Sequence, residues 1–380
     1  MGAQAGLSSA RLARLQATMQ AHVDQKHVAG LATLIARKGK LAHFACYGKR
    51  NLESGAALTE DTIFRIYSIS KPLTCVAALL LYEEKRFGLD DPVGKFLPTL
   101  GEMKVYAESG PWRAQERPMT IRDLLRHTSG LTYGYSASHP VDALYQKANI
   151  LNRKGTLKEM IKKLAKLPLR YQPGSQWYYS LATDVLGHLV EVLSGQSLGE
   201  FCTRRICAPL RMPDTGFELP AEKFDRLAAI YSRTEAGALV PWGGSIETTI
   251  YQKPVSFHSG GGGAFSTLPD YLRFCQMLLN GGALGKTRLL KRETVAEMTK
   301  NQLPAPFRPG MGFGFGVQVC VDVAATKQPG SVGTFGWAGG GNTYFFVDPK
   351  QELIAMVWSQ LSGTTTLSQE MREAVYEALL

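Results

Sequence analysis

The sequence predicts an α+β fold in which strands from both ends of the chain build one antiparallel sheet and helices occupy the middle. Three observations carry this. Apolar runs of strand length gather near the two termini, in "LATLIARKGKLAHFACYG" and in "GFGVQVCVD", "NTYFFVD" and "ELIAMVWS". Turn signals, Lys38-Gly39-Lys40 and Asp348-Pro349, join neighbouring runs closely enough for antiparallel pairing. Between them, apolar residues recur mostly at helical spacing. The expected division is therefore a discontinuous sheet domain, residues 1–84 and 256–380, with a mainly helical segment, 85–255, inserted into it. The active site is expected in the cleft between them. Residues 220–256 carry no clear pattern.

Taken in chain order, Leu12, Leu15, Met19 and Val23 space an amphipathic helix. The hairpin follows, then "FRIYSISKPLTCVAALLLYEEKRFG", the most apolar helical run in the chain. Pro72 is tolerated only near a helix start, so that helix begins close to Ser68. Thr156 with Glu159 forms a capping box for "LKEMIKKLAK". Tyr179 opens an amphipathic helix after a Pro-Gly turn, and Gly195 stops it. Ser266 and Asp270 suit the start of the helix in "DYLRFCQMLLNGG", and "TLSQEMREAVYEALL" closes the chain as a helix.

Composition narrows the function. The chain has 380 residues, 44% hydrophobic and 20% charged, enough for a large core without disulfide or metal support. Six cysteines occur with no CxxC pair and no histidines spaced to complete a zinc site, so all six read as reduced. No cofactor and no metal are expected. The N-terminus lacks a secretory h-region and the longest apolar run, around residues 75–82, is too short to span a bilayer, so a soluble cytoplasmic protein is expected. The net charge of +11 is scattered, apart from a lysine-rich helix face near residues 158–166. No nucleic-acid-reading motif accompanies it, so neither nucleic acid nor membrane is expected as a partner. The oligomeric state is not legible.

Two serines compete as nucleophile. "GQSLG", residues 195–199, matches the G-x-S-x-G elbow, which needs a strand before the serine. Here a helix precedes Ser197, and Ser197 with Glu200 is a capping box for the next one. Ser68-Ile69-Ser70-Lys71 places a hydroxyl and an amine on one helical face. Taken alone, that spacing fits two readings: an activated nucleophile, or a helix cap beside a solvated lysine. The glycines of "SGGGGAFST" lack the Gly-Lys-Ser/Thr of a phosphate loop. His127, in "LLRHTSGL", reads as a helix-terminal residue.

Four ordered stretches decide between these readings. "SISK", "HTSGLTYGY" (127–135), the Tyr179 segment "PGSQWYYSLATDVLGHLVEVLSG" and "GWAGGGNTYFFVD" together resemble the serine β-lactamase-like superfamily. Within it, the chain is most similar to the family VIII carboxylesterases, which are class C β-lactamase-like esterases. The resemblance spans roughly residues 10–375. It implies a β-lactamase/penicillin-binding-like fold, with Ser68 as the acylated nucleophile and Lys71 and Tyr179 as its general base and acid pair. It also implies an oxyanion hole from the N–H groups of Ser68 and Gly340, with Trp337-Ala338-Gly339 standing where penicillin-recognising relatives carry K-T-G. The Y-x-N asparagine of those relatives is Leu181 here, and their lysine is Trp337. Leucine cannot bond an amide and tryptophan cannot neutralise a carboxylate. The resemblance therefore implies a serine carboxylesterase for short-chain or aromatic esters. An acyltransferase, or a β-lactamase or D-amino-acid peptidase, is the alternative, and a non-catalytic binding domain the more distant one. Trp337, Gly339, Tyr133 and Phe313 are the expected substrate-binding residues, with Tyr135 and Phe315 as further candidate aromatics.

Overall fold

The computed structural model describes residues 5–136, 138–242 and 255–380. In chain order the principal elements are α1 (Ser9–Asp24), β1 (Gly30–Arg37), β2 (Lys40–Gly48), α2 (Ser70–Glu83), α3 (Ile121–Leu125), α4 (Leu157–Leu164), α5 (Ala182–Ser194), α6 (Leu198–Cys202) and α7 (Leu268–Leu279). They are followed by β3 (Met311–Phe313), β4 (Gln318–Cys320), β5 (Phe335–Gly339), β6 (Thr343–Asp348), β7 (Leu353–Ser359) and α8 (Leu367–Glu377). The seven strands form one sheet in the order β2-β1-β7-β6-β5-β4-β3, antiparallel throughout. Chain ends therefore meet within it, where Leu34 pairs with Met356.

Local chemistry explains the pieces. Lys38 and Gly39 both have positive φ, 52° and 72°, the signature of the tight turn whose twist matches a hairpin. Strand β7 reads as a continuous apolar run because both of its faces are covered. Leu353, Ala355 and Val357 join α1 and α8 through Leu12, Leu15, Met19 and Met371. Ile354, Met356 and Trp358 face the opposite way, into the core shared with α2 and α7. Residues 70–81 of α2 are buried on every side, as an apolar helix at the centre of a fold must be. α2 packs on α5, and β5 packs on the turn just before α2.

Three expectations need correction. "GFGVQVCVD" is not one strand: β3 and β4 flank a turn over Gly314–Val317, where the Phe315 N–H donates to the Met298 carbonyl and the Gly316 N–H to the Leu125 carbonyl. Gly316, at φ 74°, lies so near Cys75 that a Cβ would sit 2.6 Å from its sulfur. The cap of α7 is Thr267, whose hydroxyl accepts from the Asp270 N–H, while Ser266 belongs to a short strand. Tyr179 precedes the first helical residue, Ala182, by three positions. Of the unpatterned stretch 220–256, residues 243–254 lie outside the described residues. Earlier in it, Tyr231–Arg233 forms a small strand beside Leu361–Ser362.

Candidate active site

Ser68 occupies a single 3-10 turn, Tyr67–Ile69, immediately before α2. Tyr67 holds φ +45°, a left-handed conformation that costs a non-glycine residue roughly 1–3 kcal/mol and persists only when its surroundings impose it. Those surroundings are visible. The Ser70 hydroxyl donates to the Tyr67 carbonyl at 2.6 Å and accepts from the Ala264 N–H at 3.1 Å. The Thr343 hydroxyl donates to the Ile66 carbonyl at 3.1 Å. On the other side, glycines at and just after the end of β5 allow close approach. A Cβ on Gly339 would stand 2.5 Å from the Ile66 oxygen, and one on Gly341 2.7 Å from the Tyr67 ring.

The turn aims the Ser68 hydroxyl at two partners. The Lys71 amine donates to Ser68 Oγ at 3.2 Å, and the Tyr179 phenol lies 2.6 Å from the same oxygen. Lys71 is 0% exposed, which removes the solvated-lysine reading. Its Nζ also donates to the Gly261 carbonyl at 2.7 Å and lies 4.5 Å from the Tyr179 ring centroid and 5.3 Å from that of Tyr133. A carbonyl and two aromatic faces are attractive surroundings for a cation.

Tyr179 reaches the site because its segment runs along the 127–135 stretch. The Tyr178 N–H donates to the His127 carbonyl at 2.8 Å, and the Gly174 N–H to the Thr128 carbonyl at 2.7 Å. His127 does follow a helix end, yet it is fully buried, at φ 57°, with its ring 5.2 Å from Tyr179. Burial, helped by the nearby Lys71 charge, holds its imidazole well below its ordinary pKa, so it sits there neutral.

The expected binding residues divide. Tyr133 packs against Tyr179 at 5.1 Å and stacks on Tyr135, which is 73% exposed at the rim. Trp337 is half-buried, 5.7 Å from Tyr179. Gly340 is exposed, with open space where a side chain would stand. Phe313 and Phe315, by contrast, are fully buried. Phe313 supports Trp337 edge-on from behind at 5.2 Å, and neither phenylalanine ring has surface left to touch a ligand. Leu181 is also fully buried.

Two contributors were missed from the sequence. Gly261, in the glycine stretch set aside as a failed phosphate loop, supplies the carbonyl that Lys71 holds. Asp184, on α5, accepts from the Gly261 N–H at 3.1 Å and from the Ser259 hydroxyl at 2.5 Å. A carboxylate at a fully buried helical position beside Val185 was the available signal. Ser197 caps α6 as read, exchanging bonds with Glu200 at 3.2 Å and 2.8 Å. Among the described residues no three His, Cys, Asp or Glu side chains cluster as a metal site would require.

An antiparallel sheet closed by both termini, with a hydroxyl, a buried amine and a phenol meeting at the mouth of a central helix, defines the β-lactamase/penicillin-binding-like fold. The chain belongs to the Beta-lactamase family, which it matches over residues 15–380. It is 34% identical over 358 residues to Protein Rv1367c of Mycobacterium tuberculosis, covering 90% of this chain and 88% of that one. It is 32% identical over 392 residues to Esterase EstB of Burkholderia gladioli, covering 96% and 95%. Among solved structures it superposes on EstCE1, a hydrolase with promiscuous acyltransferase activity, with TM-score 0.84 and 28% identity over 96% of this chain and 98% of that one.

Proposed function

We propose that the protein is a serine carboxylesterase that hydrolyses short-chain or aromatic esters through an acyl-enzyme on Ser68. The supporting observation is the shared Ser68 oxygen, 2.6 Å from the Tyr179 phenol and 3.2 Å from the Lys71 amine. As Ser68 Oγ attacks the ester carbonyl, the Lys71–Tyr179 pair takes its proton. The oxyanion is held by the N–H groups of Ser68 and Gly340, each donor of this kind being worth roughly 2.7–4 kcal/mol in the transition state. The tetrahedral intermediate collapses by breaking the bond to the alcohol oxygen, which leaves with the proton the pair returns. Water then adds to the acyl-enzyme, losing a proton to the same pair, and the acid departs as Ser68 Oγ is reprotonated.

Substrate class follows from the walls. Trp337 beside Tyr179 and Tyr135 at the rim present aromatic surface, with Tyr133 packed between Tyr135 and Tyr179, and Trp337 brings no charge to pair with a substrate carboxylate. Leu181 offers no amide. This favours neutral esters over penicillins or D-amino-acid peptides, and the intact set of Ser68, Lys71 and Tyr179 argues against a purely binding role. The similarity to Esterase EstB agrees with ester hydrolysis. The promiscuous acyltransferase activity of EstCE1 favours a second reading, transfer of the acyl group to an alcohol.

The test is incubation with p-nitrophenyl acetate, butyrate and octanoate, with intact mass measured at early times. Turnover favouring the shorter chains and an acyl adduct on Ser68 are expected. Absence of both in the well-folded protein would remove the esterase reading. A transfer product outpacing acid on addition of an alcohol would replace it with the acyltransferase.

A further inference from the structure

Asp184 is a carboxylate buried inside the core. It is 0% exposed, and its oxygens are treated unequally. Oδ1 accepts from the Ser259 hydroxyl at 2.5 Å and the Gly261 N–H at 3.1 Å, while Oδ2 accepts no hydrogen bond from a described residue. Gly261 then links carboxylate to amine: its N–H is held by Asp184 and its carbonyl by Lys71 Nζ at 2.7 Å. Only glycine fits between them, since a Cβ there would lie 2.5 Å from Asp184 Oδ2 and 2.6 Å from the Tyr133 hydroxyl. The same loop is pinned to α2 by the Thr74 hydroxyl, which donates to the Gly260 carbonyl at 2.9 Å. A carboxyl group is thus built in one residue away from the Lys71 amine, with one oxygen left uncommitted.

We propose that Asp184 is a positioning residue that fixes the Gly261 loop under Lys71 and, by its charge, sets the pH range in which the Lys71–Tyr179 pair exchanges the Ser68 proton. This rests on the esterase reading of the site. Burial is costly for a carboxylate and pushes Asp184 upward; Ser259, Lys71, the Gly261 N–H and Arg153 pull the other way. The groups facing this centre come from every element around it. Cys75 lies on α2 and is held as a thiol by burial. His127, Tyr133 and Tyr135 come from the 127–135 stretch, where burial keeps the imidazole and both phenols neutral. Tyr179 completes the set. Asp184 and Lys71 thus face each other through Gly261 as a carboxyl and an amine, and the Arg153 charge also acts on Asp184. Removing the negative charge makes proton loss from the pair easier whichever member holds the proton, so both limbs of the pH profile move the same way.

Asp184→Asn tests this, because the amide keeps the Oδ1 acceptor and removes the charge, putting its NH2 in place of Oδ2, which accepts no hydrogen bond from a described residue. The pH dependence of kcat/KM with p-nitrophenyl butyrate, and of Ser68 labelling by a fluorophosphonate, is compared with the parent. Both limbs are expected to move to lower pH by about one unit, a roughly tenfold change in rate on the alkaline side, with KM little changed. Limbs that superimpose on the parent's, or a uniform loss at every pH, reduce Asp184 to a loop anchor and overturn the proposal. If the Asn variant does not fold, Asp184→Ser, which also removes the charge and leaves a hydroxyl able to accept a hydrogen bond, must move the limbs in the same direction; unmoved limbs there overturn it equally. Labelling that shifts without ester turnover overturns the esterase reading and leaves this inference standing.

Discussion

Ser68 and Ser197 invite comparison because they look alike locally. Each precedes a helix and stands three residues before a charged side chain, Lys71 in one case and Glu200 in the other. Ser197 also lines a cavity of about 940 Å³ with Glu200, Glu218 and His258, so that a serine, a histidine and a carboxylate line one space. The difference lies in what each hydroxyl already does. Ser197 Oγ accepts from the Glu200 N–H and donates to the Glu200 carboxylate. His258 has no nitrogen to spare, since Nδ1 accepts from the Gly199 N–H and Nε2 faces Glu218. Ser68 caps nothing, because its 3-10 turn leaves Ile69 at the cap position of α2, and its oxygen meets an amine and a phenol instead. A nucleophile is recognised by the bonds its oxygen is free to exchange, not by spacing or by the size of the adjoining hole.

The sharpest way to break this comparison is to exchange the losses. Ser68→Ala should lower kcat/KM for p-nitrophenyl butyrate by at least about a thousandfold, while Ser197→Ala leaves it unchanged; equal effects would end the distinction. Next, Gly339→Ala should cost about tenfold to a hundredfold in kcat with the protein still folded, because its Cβ would meet the Ile66 carbonyl and tilt β5 away from the Ser68 turn. Unaltered kcat would show that the strand does not set the oxyanion donors. Third, the neutral, buried His127 gives the Ser68 region an acid sensitivity. Its folded pKa lies well below 6.5, so the unfolded chain takes up a proton that the folded one refuses. Stability is therefore complete above about pH 6.5 and falls below it, by about 1 kcal/mol per pH unit from this group. Thermal melts from pH 7.5 to 5 should show that slope, shared with His43, which burial lowers to about 4. His127→Gln should flatten it. The smallest effect is on the Ser197 side: its Ala variant loses a helix cap worth about 1 kcal/mol, visible in a melt rather than in an assay.

What was legible followed from short-range rules. The hairpin at Lys38-Gly39, the capping boxes Thr156–Glu159 and Ser197–Glu200, and the strands around Trp358 depend on neighbours within one turn or one pleat. What was misread followed from packing. Val317 to Cys320 looks like a simple extension of the strand before it, but the contact of Gly316 with Cys75 breaks the ladder. Phe313 and Phe315 were counted as lining because aromatics near a site often are, whereas both rings are packed into the core.

By itself the sequence determined that Ser68 and Lys71 share a face, since a separation of three residues does so in any helical turn. It also determined which chemistry was available, through the residue types at Tyr179, Trp337 and Leu181. Only the tertiary structure decided that Lys71 is dry, that Tyr179 comes from 111 residues away to within 2.6 Å of Ser68, and that Asp184 lies behind both through Gly261. Those facts depend on α2 and α5 packing face to face and on glycines letting two backbones close in. Such long-range contacts arise from burying apolar surface between distant segments, and no local pattern in either segment records its partner.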